Sequence, residues 1–210
     1  LGHAGVFSFH PRKSITTGEG GMITTHDSDL ASRLRRLRDH GANISDEQRH
    51  SGPQPYVMPE FDELGFNYRM TDLQGAVGLA QLGKLDRFID ERKQWAAYYR
   101  RELADLEWLQ LPEEPEPSRH AWQSFVTRVN PKTAPMPRNQ IMTALEAAGV
   151  ATRPGTHAVH QLGYYRKCFG FSADDFPSAR DCAADTMALP LHNRMTDEDY
   201  GHVIRCLMDL

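Results

Sequence analysis

Gly5-Val6-Phe7-Ser8-Phe9-His10-Pro11-Arg12-Lys13-Ser14-Ile15-Thr16-Thr17-Gly18-Glu19-Gly20-Gly21-Met22-Ile23-Thr24-Thr25 reads as strand, loop, strand. Val6, Phe7 and Phe9 form a short apolar run of strand-forming side chains, and Pro11 ends it. Residues 22–25 are a second short strand candidate. Between them lie Lys13 and a tight Gly18-Glu19-Gly20-Gly21 turn, where glycine tolerates positive φ and close backbone approach. A lysine fixed between two buried strands is expected to sit desolvated, which favours its neutral, nucleophilic form toward a carbonyl. The same spacing also fits a solvated loop lysine beside a hairpin turn, and the stretch by itself leaves both readings open. Its glycines fit neither G-x-x-x-x-G-K-[ST] nor G-x-G-x-x-G, so neither phosphate loop is expected.

Downstream, residues 27–40 read as a helix. Asp27 and Asp29 sit at its positive end, arginines crowd the other, and Leu30, Leu34 and Leu37 give one apolar face. Gly41 is the expected cap, with His40 beside it. Residues 42–64 carry Pro53, Pro55 and Pro59 without periodicity and read as a long surface loop. Thr71-Asp72-Leu73-Gln74 is a capping box that opens a helix expected to run to about Leu103. Gly75, Ala76, Gly78, Ala80 and Gly83 crowd its first half, which points to close packing on that side.

Two elements resemble a known family. Ser8-Phe9-His10-Pro11-Arg12-Lys13 with Thr17-Gly18-Glu19-Gly20-Gly21 is similar to the cofactor-lysine segment of the DegT/StrS-type sugar aminotransferases. Gly65-Phe66-Asn67-Tyr68-Arg69-Met70, followed by Gln81-Leu82-Gly83-Lys84-Leu85, resembles that family's G-x-N-x-R-M element and the Q-L-x-K-L end of its next helix. Arg38-Asp39-His40-Gly41 resembles its R-x-H-G stretch. His120-Ala121-Trp122-Gln123 resembles its H-A-W-H, with Gln123 in place of the last histidine.

The resemblance implies an α/β fold, the type I pyridoxal 5'-phosphate (PLP) transferase fold of aspartate aminotransferase. Residues 1–106 would form the second half of the large mixed-sheet domain with a long connecting helix. Residues 107–210 would form a small C-terminal α+β domain. It implies transamination of a keto sugar nucleotide in amino-sugar biosynthesis, with glutamate as donor and PLP as cofactor. Lys13 would carry the Schiff base and move the proton. Ser8 would bind the cofactor phosphate, as would Asn67 across the two-fold axis of a homodimer. Arg69, Arg153 and His157 would contact substrate. Sugar dehydratases in the family have a histidine at the position of Lys13, so lysine argues against that lyase reading. A non-catalytic or split-enzyme partner of the same fold is the other alternative. Family members also carry an upstream half with the acidic partner of the pyridine nitrogen, a ring-stacking aromatic and a helix N-terminus for the phosphate. This chain starts at Leu1, almost inside a motif, and is expected to be cut from such a protein or paired with a separate N-terminal half.

Beyond the motifs, Pro112, Glu113, Glu114, Pro115, Glu116 and Pro117 form an acidic, proline-rich joint taken as the domain boundary. A strand at 124–129, a helix at 137–148, a strand at 150–153, a helix at 175–188 and an extended 189–191 follow. A last helix is capped by Thr196, with Tyr200, Val203, Ile204 and Leu207 on its inner face. The alternation describes a small α+β domain. An apolar share of 40%, a charged share of 25% and a formal charge of −4 suit a globular protein and give no case for nucleic acid or anionic membrane. Three cysteines without a C-x-x-C pair fit reduced thiols and a cytoplasmic protein. His157-Ala158-Val159-His160 lacks the H-E-x-x-H spacing and a third ligand, so no metal is expected. No G-x-S-x-G elbow accompanies Ser8, His10 and Glu19, so a serine triad is not expected.

Overall fold

The computed structural model describes residues 2–45, 48, 51–52 and 56–210. The chain divides into two compact units, Leu1–Leu85 and Asp86–Leu210.

In the first unit, β1 (Ala4–Ser8) and β2 (Gly21–Thr25) form a two-stranded antiparallel sheet, with Val6 opposite Ile23 and Ser8 opposite Gly21. These strands are not buried. Val6 is 78% exposed and Ile23 46%, and among the described residues no third strand extends the sheet. Helix α1 (Ser28–Leu37) starts where Asp27 accepts from the amides of Asp29 and Leu30. It ends before His40, which instead takes a positive φ of 59°. The backbone then closes on itself. Gly41 (φ 80°) donates to Arg36 O, and a Cβ there would lie 1.9 Å from Glu63 O, so only glycine fits. Glu63 is held by Arg33 and Arg36, whose hydrogen bonds pull its carboxyl below the usual range.

The expected loop 42–64 is described only in part. Its residues 46–47, 49–50 and 53–55 lie outside the described residues, and Ala42 bridges Phe61 in the rest.

The capping box is present. Thr71 accepts from Gln74 N, and Gln74 Oε1 accepts from Thr71 N at 2.9 Å. The long helix expected to run to Leu103 is two helices, α2 (Asp72–Leu82) and α3 (Leu85–Glu102). The break falls at Gly83-Lys84, where Lys84 N turns to Gln81 O in a tighter i+3 bond. The unit boundary lies at this break, upstream of the proline-rich joint. Ala96, Tyr99 and Leu103 of α3 belong to the core of the second unit.

That unit is a four-stranded antiparallel sheet in the order β3-β4-β6-β5: β3 (Leu109–Gln110), β4 (Phe125–Val129), β6 (Thr186–Leu189) and β5 (Arg153–Pro154). Helices α4 (Arg138–Ala147), α5 (Gly163–Phe169), α6 (Pro177–Asp185) and α7 (Asp197–Met208) complete it. The helix expected over 175–188 stops early because Thr186–Leu189 pairs with both neighbours, which makes it a central strand. The expected strand at 150–153 is present only as β5. The core gathers Tyr99, Trp122, Phe125, Ile141, Leu145, Met187, Tyr200 and Leu207, all under 2% exposed. Tyr200 stacks on Trp95 at 4.0 Å and meets Tyr99 edge-on. Tyr200, Val203, Ile204 and Leu207 are buried, as their spacing required.

Candidate functional site

The loop between β1 and β2 is built by its own hydroxyls. Thr16 Oγ1 donates to Phe9 O at 2.8 Å, Thr17 N donates to the same carbonyl, and Phe9 N reaches Gly20 O. Thr17 is buried and donates to Glu19 O. Gln74 Nε2 donates to that same Glu19 O at 2.9 Å. One side chain thus caps α2 and anchors the lysine loop to it. Gly78 allows this approach, since a Cβ there would sit 3.1 Å from Thr17 Cγ2.

Lys13 closes a β-turn, its N–H donating to His10 O at 2.9 Å. Its side chain is exposed, against the expectation of a desolvated amine. The hairpin that was to bury it is open, and no described residue covers it. Ser8 Oγ accepts from His10 N at 3.3 Å, which leaves the hydroxyl proton free to donate outward. Asn67 forms an isolated bridge with Asp39, and its neighbours pair in the same direction: His40 N to Phe66 O and Tyr68 N to Arg38 O. Its amide is exposed, with no hydrogen bond among the described residues. Arg69 turns back onto Asp39 in a close ion pair. A ligand at Arg69 would therefore share it with that carboxylate.

These side chains fit an anionic, aldehyde-bearing cofactor. The first unit offers an exposed amine, a hydroxyl with its proton to give and an unpartnered amide, which suit a carbonyl and a phosphate.

In the second unit Arg153 lies on β5, pairs with Ala188 and donates to Thr152 O. It lines a cavity of about 310 Å³ with Arg138, Asn139 and Thr143. Gly155 beside it admits no side chain, since a Cβ would lie 2.5 Å from Val126 Cγ1. His157 is exposed. His160 is buried, its Nε2 3.2 Å from Ala173 O and its ring against Phe176, so it shapes the loop. Among the described residues no group of three His, Cys, Asp or Glu side chains is placed to hold a metal, and no helix is long and apolar enough to cross a membrane.

Sequence reasoning missed Arg92. Its buried guanidinium donates to Asn193 Oδ1 and to the carbonyls of Trp122, Gln123 and Leu191, at 3.0–3.1 Å. Burial pushes it below its ordinary value. Only its place in α3, one turn before Ala96, hinted at an inward face.

A model of the DegT/DnrJ/EryC1/StrS aminotransferase family matches residues 1–208. The spore coat polysaccharide biosynthesis protein SpsC of Bacillus subtilis (strain 168) is 36% identical over 211 residues, covering 100% of this chain and 54% of that protein. The GDP-perosamine synthase of Caulobacter vibrioides is 36% identical over 208 residues, covering 99% and 52%. Helicobacter pylori PseC, an aminotransferase involved in the biosynthesis of pseudoaminic acid, matches in structure with a TM-score of 0.86 at 25% identity, covering 99% of this chain and 53% of that one. The chain spans about half the length of the curated relatives it matches. The fold is α/β, that of the type I PLP-dependent transferases. The chain belongs to the DegT/DnrJ/EryC1/StrS aminotransferase family.

Proposed function

We propose that this chain is part of a cytoplasmic, homodimeric PLP-dependent aminotransferase that passes an amino group from glutamate to a keto sugar nucleotide. Residues 1–106 would serve the large cofactor-binding domain and 107–210 the small one. The observation that carries this reading is the loop of residues 8–20, which presents an exposed lysine and a serine hydroxyl free to donate. The relatives add weight to it: one is described as a GDP-perosamine synthase, another as an aminotransferase of pseudoaminic acid biosynthesis.

When bound, PLP supplies an electron sink for breaking the Cα–H bond of the donor. Lys13 Nζ would hold the cofactor through its carbonyl and, as a neutral amine, would hold and move the donor's Cα proton. Ser8 would donate to the phosphate. Asn67 would finish the phosphate site of the partner protomer, and Arg69, Arg153 and His157 would receive substrate. Lys13 needs water excluded to work as a base. Val6, Phe7, Leu73 and Leu79 are exposed apolar side chains that further protein, from the same polypeptide or a separate one, would cover.

The test uses the full-length protein that contains this chain. Supplied with PLP, glutamate and a keto sugar nucleotide, it should form 2-oxoglutarate and an amino sugar nucleotide. Borohydride reduction of the PLP-loaded protein, followed by peptide mapping, should place the label on Lys13. A label on another lysine would overturn the assignment.

Asn67→Ala should weaken PLP binding about ten- to a hundredfold, since a hydrogen bond to a charged group contributes ~1.5–3 kcal/mol. Mixing Asn67→Ala with Lys13→Ala protomers tests the trans placement. A donor acting across the two-fold axis puts both defects in one site and leaves the other intact, so activity should partly return. Mixed dimers that form and recover nothing would place Asn67 in its own protomer's site.

A further inference from the structure

No hydrogen bond joins Ser8 to Lys13 among the described residues, yet both are bonded to His10. His10 N donates to Ser8 Oγ at 3.3 Å, and His10 O accepts from Lys13 N at 2.9 Å. His10-Pro11-Arg12-Lys13 is therefore a β-turn, and Pro11 presets its second position. The imidazole adds a further bond, because Arg12 N donates to its Nδ1 at 3.1 Å. An amide N–H can only donate, so Nδ1 carries no proton and the ring proton sits on Nε2. That nitrogen lies 4.0 Å from Glu19 Oε1. Glu19 in turn is tied through its carbonyl to Thr17 and to Gln74 at the start of α2.

We infer that His10 is the positioning residue of the cofactor loop: its Nδ1 locks the turn that aims Lys13, and its Nε2 faces the Glu19 side of the loop. The inference rests on the assignment of Ser8 and Lys13 to the cofactor made above. Asp, Asn and Ser are favoured at the first position of such turns because their short side chains accept from the amide two residues on. Histidine does the same here through Nδ1, and its longer ring carries a second nitrogen toward Glu19. His10 thereby couples the hydroxyl that donates to a phosphate with the amine that meets a carbonyl.

The test compares His10→Ala with His10→Asn in the full-length protein. Asparagine can still accept from the Arg12 amide but cannot reach Glu19, whereas alanine does neither. Hydrogen exchange at the Arg12 amide reads the turn directly. PLP affinity, followed by absorbance titration, reads its consequence. His10→Ala should speed Arg12 exchange about tenfold and raise the PLP dissociation constant about three- to tenfold, as expected for one lost side chain–backbone bond. His10→Asn should recover most of both. Equal Arg12 protection in wild type and His10→Ala, or an asparagine variant no better than alanine, would overturn the inference. If wild-type protein neither binds PLP nor takes borohydride label at Lys13, the cofactor assignment falls. The exchange comparison then decides alone whether His10 sets the turn.

Discussion

Lys13→Arg is expected to abolish transamination, lowering turnover by at least about a thousandfold, the combined scale of lost proton transfer and lost covalent chemistry. Arginine keeps the positive charge and much of the length, so long-range attraction for a phosphate survives. It cannot surrender its proton under any working condition, which removes both the nucleophile and the base. The substitution should leave the loop intact. The turn rests on the backbone N–H of residue 13 and on His10, and the lysine side chain is exposed and takes no part in it. PLP affinity should therefore fall far less than turnover. Borohydride should fix no label in the Lys13→Arg protein, while circular dichroism and melting stay as in wild type. Turnover within tenfold of wild type, or a label that simply moves to another lysine, would remove Lys13 from the centre of the reaction.

How much of this was legible in the sequence depends on how local each interaction is. The caps at Thr71 and Thr196 were readable because a cap joins a side chain to an amide two or three residues away. The inner face of α7 was readable because its period repeats. The two motifs led to the family because they lie in order and carry chemistry-bearing side chains. The break between α2 and α3 was less visible, since the apolar spacing continues across Gly83-Lys84 and a single glycine does not force a stop. Strand β6 was hidden for a related reason. Met187 and Leu189 extend an apolar pattern out of α6, and only pairing with β4 and β5 settles it as extended. The exposure of Lys13 was not readable either. Val6 and Phe7 look like core residues by type, and whether a strand is covered depends on neighbours that lie elsewhere in the fold. Arg92 stands in the run Asp90-Glu91-Arg92-Lys93, which reads as a solvated helix face. Its burial is decided by residues 122–123 and 191–193, far along the chain.

Arg92→Met is expected to destabilise the second unit by about 2–4 kcal/mol. Methionine replaces much of the apolar stem, so packing loss is small and the effect isolates the guanidinium. The carbonyls of Trp122, Gln123 and Leu191 and the amide oxygen of Asn193 lose their donor together. Each buried acceptor left without a partner costs about 1–3 kcal/mol, less where water enters the space. Asn193 keeps its other contacts, donating to Phe88 O and to Glu91, so part of the network survives and the full sum is not reached. Among the described residues no carboxylate pairs directly with the guanidinium, Glu91 meeting it only through Asn193, and desolvation disfavours its charge. It is tolerated because four acceptors surround it, three carbonyls on one terminal nitrogen and the Asn193 oxygen on Nε. Arg92→Lys keeps the charge but not the fork, and should fall between wild type and methionine. Trp95, Trp108 and Trp122 all lie in the second unit and report its unfolding in a urea titration. For a chain of this size the methionine variant should melt about 5–15 °C below wild type. The loss should localise to residues 120–123 and 190–193 in hydrogen exchange, because this side chain and its Asn193 partner tie the two segments together. A methionine variant as stable as wild type would mean that water satisfies these carbonyls as well as arginine does, and that Arg92 is held by the fold without holding it.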